Sequence, residues 1–141
     1  MALELVGHQQ HLRNQVAMIE SQLPQVQRDY RQRLLDRIRS AVADAGVNVT
    51  EEQLVREIAI FADRSDVSEE LARFSAHLSQ FTELIDQDGD SAGRRLEFVV
   101  QELGREANTL GSKAGDVTIS RIVIEMKATL EKIRELVQNI E

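Results

Sequence analysis

The sequence predicts an all-α protein, a helical bundle built from long antiparallel helices. Three observations point there. Apolar residues recur at helical spacing along most of the chain. Good helix formers (Leu, Ala, Glu, Gln and Arg) dominate. One proline and seven glycines in 141 residues are too few turn formers for a β sandwich or barrel.

Residues 2–23 place Leu5, Leu12, Val16, Ile19 and Leu23 on a narrow stripe, which suits a single packing partner. Pro24 then either opens a second helix or kinks one long helix. Residues 25–45 continue with Val26, Tyr30, Leu34, Ile38 and Val42 on one face, and Gly46 supplies a C-terminal stop. After a short extended segment, VNVT, Thr50 and Gln53 form a capping-box pattern ahead of a helix over 51–63. Asp66 and Glu69 suggest a second box, opening a helix to Ile85 with a core stripe of Val67, Leu71, Phe74, Leu78, Phe81 and Ile85. The run DQDGDSAG predicts a loop at 86–93. A helix over 92–111 follows, then a short connection between Gly111 and Gly115. The last helix, 117–139, carries Ile119, Ile122, Val123, Met126, Leu130, Ile133 and Val137 on its apolar face. The expected arrangement is an N-terminal helical hairpin plus three C-terminal helices. The hairpin, with the weaker stripes, belongs to a middle region over 1–61 that packs on another chain, and residues 62–141 form a second region.

Composition narrows the function. The absence of cysteine removes disulfides and thiolate metal sites and suits a reducing cytoplasm. No apolar run is long enough to span a membrane, and the first residues lack the pattern of a signal peptide. A net charge of −7 opposes nonspecific nucleic-acid binding, so any RNA contact needs a local basic patch or a metal.

Two helix faces are dense in polar residues. Asp66, Glu70, Arg73 and His77 follow one another at spacings of four, three and four, and histidine is the side chain whose unperturbed pKa lies near neutrality. Glu102 and Glu106 project the same way from the next helix, as the oxygen ligands of Mg²⁺ or Mn²⁺ do, with Arg105, Asn108 and Thr109 beside them. Arg94 and Arg95 before them and Lys113 after them add positive charge. The same spacings also describe solvated i,i+4 pairs or an ion-pair network tying helices together. His8 and His11 lack a carboxylate companion, and GSKAGD has no P-loop spacing.

Three stretches resemble the YicC/YloC-type bacterial endoribonuclease family: ADRSDVSEELARFSAHLSQF (62–81), GRRLEFVVQELGREANTLGSKAGD (93–116) and VIEMKATLEKIRELVQNIE (123–141). Departures from its pattern are Arg95 for lysine, Glu97 for aspartate, Gly104 for asparagine and Leu136 for glutamine. The resemblance implies a middle-plus-C-terminal piece of the family protein, without its N-terminal domain. It further implies a cytoplasmic, metal-dependent (Mn or Mg) endoribonuclease that assembles as a homo-oligomer, a hexamer at full length. On that resemblance Asp66, Glu70, Glu102 and Glu106 become metal candidates, and His77, Glu70, Glu102 and Glu106 catalytic ones. Arg64, Arg73, Arg94, Arg95, Arg105 and Lys113 become candidates for holding RNA phosphates. The alternatives are a helical oligomerisation module and an adaptor that binds RNA without cutting it.

Overall fold

The computed structural model describes residues 2–46, 48–87 and 90–140. Five helices follow one another: α1 (Ala2–Ala45), α2 (Glu51–Ser65), α3 (Ser68–Ile85), α4 (Asp90–Lys113) and α5 (Val117–Ile140). No strand occurs among the described residues. Among the described residues no helix is long and apolar enough to cross a membrane.

The core is made by the first half of α1 together with α3, α4 and α5. Leu5, Leu12, Val16 and Ile19 of α1 join Phe74, Leu78 and Phe81 of α3, Leu103 and Leu110 of α4, and Ile119, Met126 and Ile133 of α5 in one continuous apolar cluster. Neighbours around the ring run α1, α3, α4, α5 and back to α1. Each stripe therefore buries against two partners, and the buried stripes are those that the periodicity picks out. On α1 two polar positions break the pattern. Gln9 and Gln15 of α1 are buried, and the Gln15 amide reaches Glu125 Oε2 on α5 at 3.5 Å.

Of the two readings of Pro24, the structure takes the one long helix, so the N-terminal hairpin does not turn there. Pro24 lies inside one continuous 44-residue helix. A proline there removes one backbone hydrogen bond; before it Leu12, Val16 and Ile19 are buried, and just after it Val26 is partly buried against the same core. The hairpin that does form pairs the second half of α1 with α2. Tyr30 stacks on Phe61 with ring centroids 3.4 Å apart and planes within 5°, and Arg33 lies over the Tyr30 ring. This arm is thinly packed: α2 has no buried residue.

Local signals account for most helix ends. Gly46 and Gly115 take the left-handed φ values of 64° and 62° that end α1 and turn the chain into α5. The Thr50–Gln53 capping box forms in both directions, at 3.2 and 3.1 Å. The Asp66–Glu69 box does not form. The N-cap of α3 is Val67, without a side-chain cap, and Asp66 instead accepts from the Ser68 backbone N–H at 2.9 Å and the Ser68 hydroxyl at 2.5 Å. The carboxylate thus satisfies an early orphan N–H by an Asx-type turn rather than a capping box. α4 starts at Asp90, inside the expected 86–93 loop, whose Asp88 and Gly89 lie outside the described residues, as does Val47 of the extended segment.

The two glycines inside α4 have opposite surroundings. A Cβ on Gly104 would meet nothing within 4 Å, whereas one on Gly111 would lie 3.1 Å from Val123 Cγ1 on α5. Val123 is buried, and its β-branched side chain has one favoured rotamer in a helix, so it yields poorly. Chemical denaturation should show Gly104→Ala gaining up to about 1 kcal/mol from helix propensity. Gly111→Ala should gain nothing or lose stability. A larger gain at 111 than at 104 would contradict the close α4–α5 approach.

Candidate functional site

The polar faces of α3 and α4 meet along one antiparallel seam. Arg73 pairs with Glu106, and further along Gln80 and Leu84 share a cleft with Val99 and Arg95. The same register sets His77 opposite Glu102 and Asp66 opposite Lys113. The two helix faces singled out by their polar density are therefore neighbours. α3 contributes them because its other face is taken by Leu71, Phe74, Leu78 and Phe81; α4 does so because Leu96, Val99, Leu103 and Leu110 turn inward.

At one end the seam is closed by ion pairs. Glu70 is 4% exposed and accepts from Lys113 Nζ at 3.0 Å. Glu106 is 9% exposed and accepts from Arg73 Nε at 2.9 Å. Arg73 also binds Glu69 and approaches Glu70 Oε1 at 3.7 Å. Burial pushes the Glu70 carboxyl up, but the Lys113 hydrogen bond, a backbone hydrogen bond and the charges of Lys113 and Arg73 outweigh it and hold the group below its ordinary range. Asp66 is also lowered, chiefly by its hydrogen bonds from Ser68. The Glu106 hydrogen bond raises the Arg73 guanidinium further. The second oxygen of Glu70, Oε2, is buried without a partner.

At the middle of the seam the groups are more accessible. His77 is half-buried, and its Nδ1 lies 3.2 Å from Gln80 Oε1. Glu102 is paired with Arg105 at 3.3 Å on its own helix. At the far end the helices enclose an open cleft of about 710 Å³ lined by Gln80, Glu83, Gln87, Arg94, Arg95 and Phe98, among others. Among the described residues neither Arg94 nor Arg95 pairs with a carboxylate.

The proposed ligands and phosphate-binding groups thus divide. Asp66, Glu70, Glu102 and Glu106 all belong to the seam, yet they are committed separately to Ser68, Lys113, Arg105 and Arg73. Among the described residues no three carboxylates or imidazoles are grouped as a metal would need. Eighteen residues separate Arg95 from Lys113, about 27 Å along a helix, so these cations serve opposite ends of the seam. Arg64 lies apart, exposed in the last turn of α2, which packs on α1. Sequence reasoning missed Phe98. The signal was present: Phe98 lies off the apolar stripe of α4, with arginines three and four residues before it.

The closed end carries a pH dependence. Glu70 has its folded pKa below the ordinary 4.5, so its stabilisation is complete above that value and is lost as pH falls through the folded pKa. Glu70→Gln should cost about 1–3 kcal/mol at neutral pH, by breaking a buried charge-assisted hydrogen bond. It should also flatten the fall of Tm with pH below 4.5. An unchanged acid slope in this variant would mean that Glu70 is not held as described.

Comparisons with known proteins agree on one relationship. Residues 19–141 match the family described as endoribonuclease YicC-like, C-terminal. A protein of Clostridioides difficile named "Probable endoribonuclease YicC" is 44% identical over 130 residues, covering 92% of this chain and 44% of that protein. One of the same name from Haemophilus influenzae is 38% identical over 123 residues, covering 87% of this chain and 41% of that protein. The chain spans less than half the length of these relatives.

Proposed function

The chain belongs to the endoribonuclease YicC-like C-terminal family, and from that premise we propose that it is the RNA-holding and RNA-cleaving seam of a longer endoribonuclease. The observation that carries the reading is the placement of His77. Its Nδ1 lies 3.2 Å from Gln80 Oε1, and the tautomer with the proton on Nδ1 is the one that offers Nε2 as a general base. The ring stands at the accessible middle of the seam, opposite Glu102 in register and between two sets of cations.

The chemistry follows from those positions. His77 Nε2 takes the proton of a ribose 2′-hydroxyl. O2′ then attacks the adjacent phosphorus, and the 5′ oxygen leaves with a proton from solvent. The products are a 2′,3′-cyclic phosphate and a 5′-hydroxyl. Arg94 and Arg95, exposed on α4, hold the phosphates. Glu70, Arg73, Glu106 and Lys113 instead position the two helices, because their charges are spent on one another. The metal requirement implied by the family resemblance does not fit the carboxylates as they stand in one chain. A metal centre would draw its donors from the rest of the full-length protein or from another copy.

A second role, assembly, is favoured by the arm. Val55 and Ile60 of α2 are 60% and 40% exposed on an element with no buried residue, so the arm gains a core only from a partner. Cleavage assays separate the roles. His77→Ala should slow RNA cleavage roughly 10²–10⁴-fold in the full-length protein while fold and oligomer persist. A 2′-deoxy substitution at the cleaved position should abolish cutting. Cleavage of the deoxy strand at the RNA rate would overturn the 2′-hydroxyl route, and collapse of the oligomer in His77→Ala would assign that residue to structure.

A further inference from the structure

We infer that the open cleft between the C-terminal half of α3 and the N-terminal half of α4 is a stacking subsite for an unpaired nucleobase, so that the seam takes single-stranded rather than duplex RNA; this rests on the RNA reading above. Phe98 carries the argument. It is 60% exposed, whereas Leu96, Val99, Val100 and Leu103 around it on α4 are at most 5% exposed. One exposed aromatic is ordinary by itself. This one lines a concave wall, and Arg94 and Arg95 lie one turn before it on the same face of the helix. A π-face flanked by cations is the pattern by which proteins hold unpaired strands: the ring stacks on a base, and the guanidinium groups take the neighbouring phosphates.

The opposite wall gives the subsite a direction. α3 contributes Gln80 and Glu83, Gln87 follows just past its end, and none of the three is a cation. Glu83 repels a phosphate from that side, so the backbone tracks the α4 arginines while base edges face the amides and the carboxylate. Glu83 can accept from an exocyclic amino group, and the glutamines can donate or accept. The cleft, about 710 Å³, is large enough for a small ligand and open, so that a strand can continue toward His77. A-form duplex RNA keeps its base faces stacked internally and has none to offer Phe98.

The chain contains no tryptophan, so Phe98→Trp installs a single fluorescent reporter. Short oligoadenylate should quench its emission on binding, and a length-matched RNA duplex should not. Phe98→Ala should weaken single-strand binding roughly 5- to 100-fold, the range one stacked base is worth, and leave duplex binding unchanged, while Phe98→Tyr retains binding. Unquenched emission with oligoadenylate bound through Arg94 and Arg95 would overturn the stacking subsite and leave the RNA reading standing. So would equal losses for strand and duplex in Phe98→Ala. Failure of the folded chain to bind either RNA would overturn both.

Discussion

Glu70 and Glu106 give up most of their water between α3 and α4, and the seam depends on what replaces it. A buried carboxylate without compensation would cost several kcal/mol, so the structure holds only where Lys113 and Arg73 reach those oxygens. These pairs join residues 43 and 33 positions apart, which makes them register pins as well as charge neutralisers. Sliding α3 by one turn along α4 would keep much of the aliphatic contact, since Leu, Val and Ala recur every turn. It would strand two buried charges. The apolar stripes thus hold the helices together, and the ion pairs select one alignment among several that the stripes tolerate.

That alignment sorts the polar residues into two kinds. Where α4 ends, acids and bases neutralise one another and the seam is shut. Where α4 begins, the arginines lack acidic partners among the described residues, and the walls part. A chain of net charge −7 can still offer a local positive surface because its acids are placed to cancel one set of cations and not the other. His77 stands at the boundary between the two, with its ring oriented by Gln80. The arm follows a different rule. Tyr30 on Phe61 supplies its main contact, and little else is sealed from solvent.

Much of this was legible in the residues. The stripes of Phe74, Leu78 and Phe81 and of Ile119, Met126 and Ile133 identify helices and their inward faces, since burial on one side demands a 3.6-residue period. Thr50 and Gln53 mark a helix start because the contact is three residues long. Pro24 was ambiguous for a physical reason: a proline is costly inside a helix, and whether α1 runs through it depends on what both halves pack against. Asp66 shows the same competition, since Ser68 offers a nearer donor than a capping box would use. Phe98 escaped notice because one aromatic on a polar face has no periodicity to announce it.

By itself, then, the sequence determined the faces of the helices, the family they belong to, and the list of charged residues worth following. Those properties rest on spacing along one chain, and helix geometry converts spacing into direction without further information. Only the tertiary structure decided which charges are spent and which are available. Glu106 meets Arg73 while Glu102, one turn away on the same face, turns to Arg105, and Lys113 lies at the far end of the helix from Arg95. Coulombic partnership acts over a few ångströms in space, and an isolated chain of letters does not state which distant residues come within that reach.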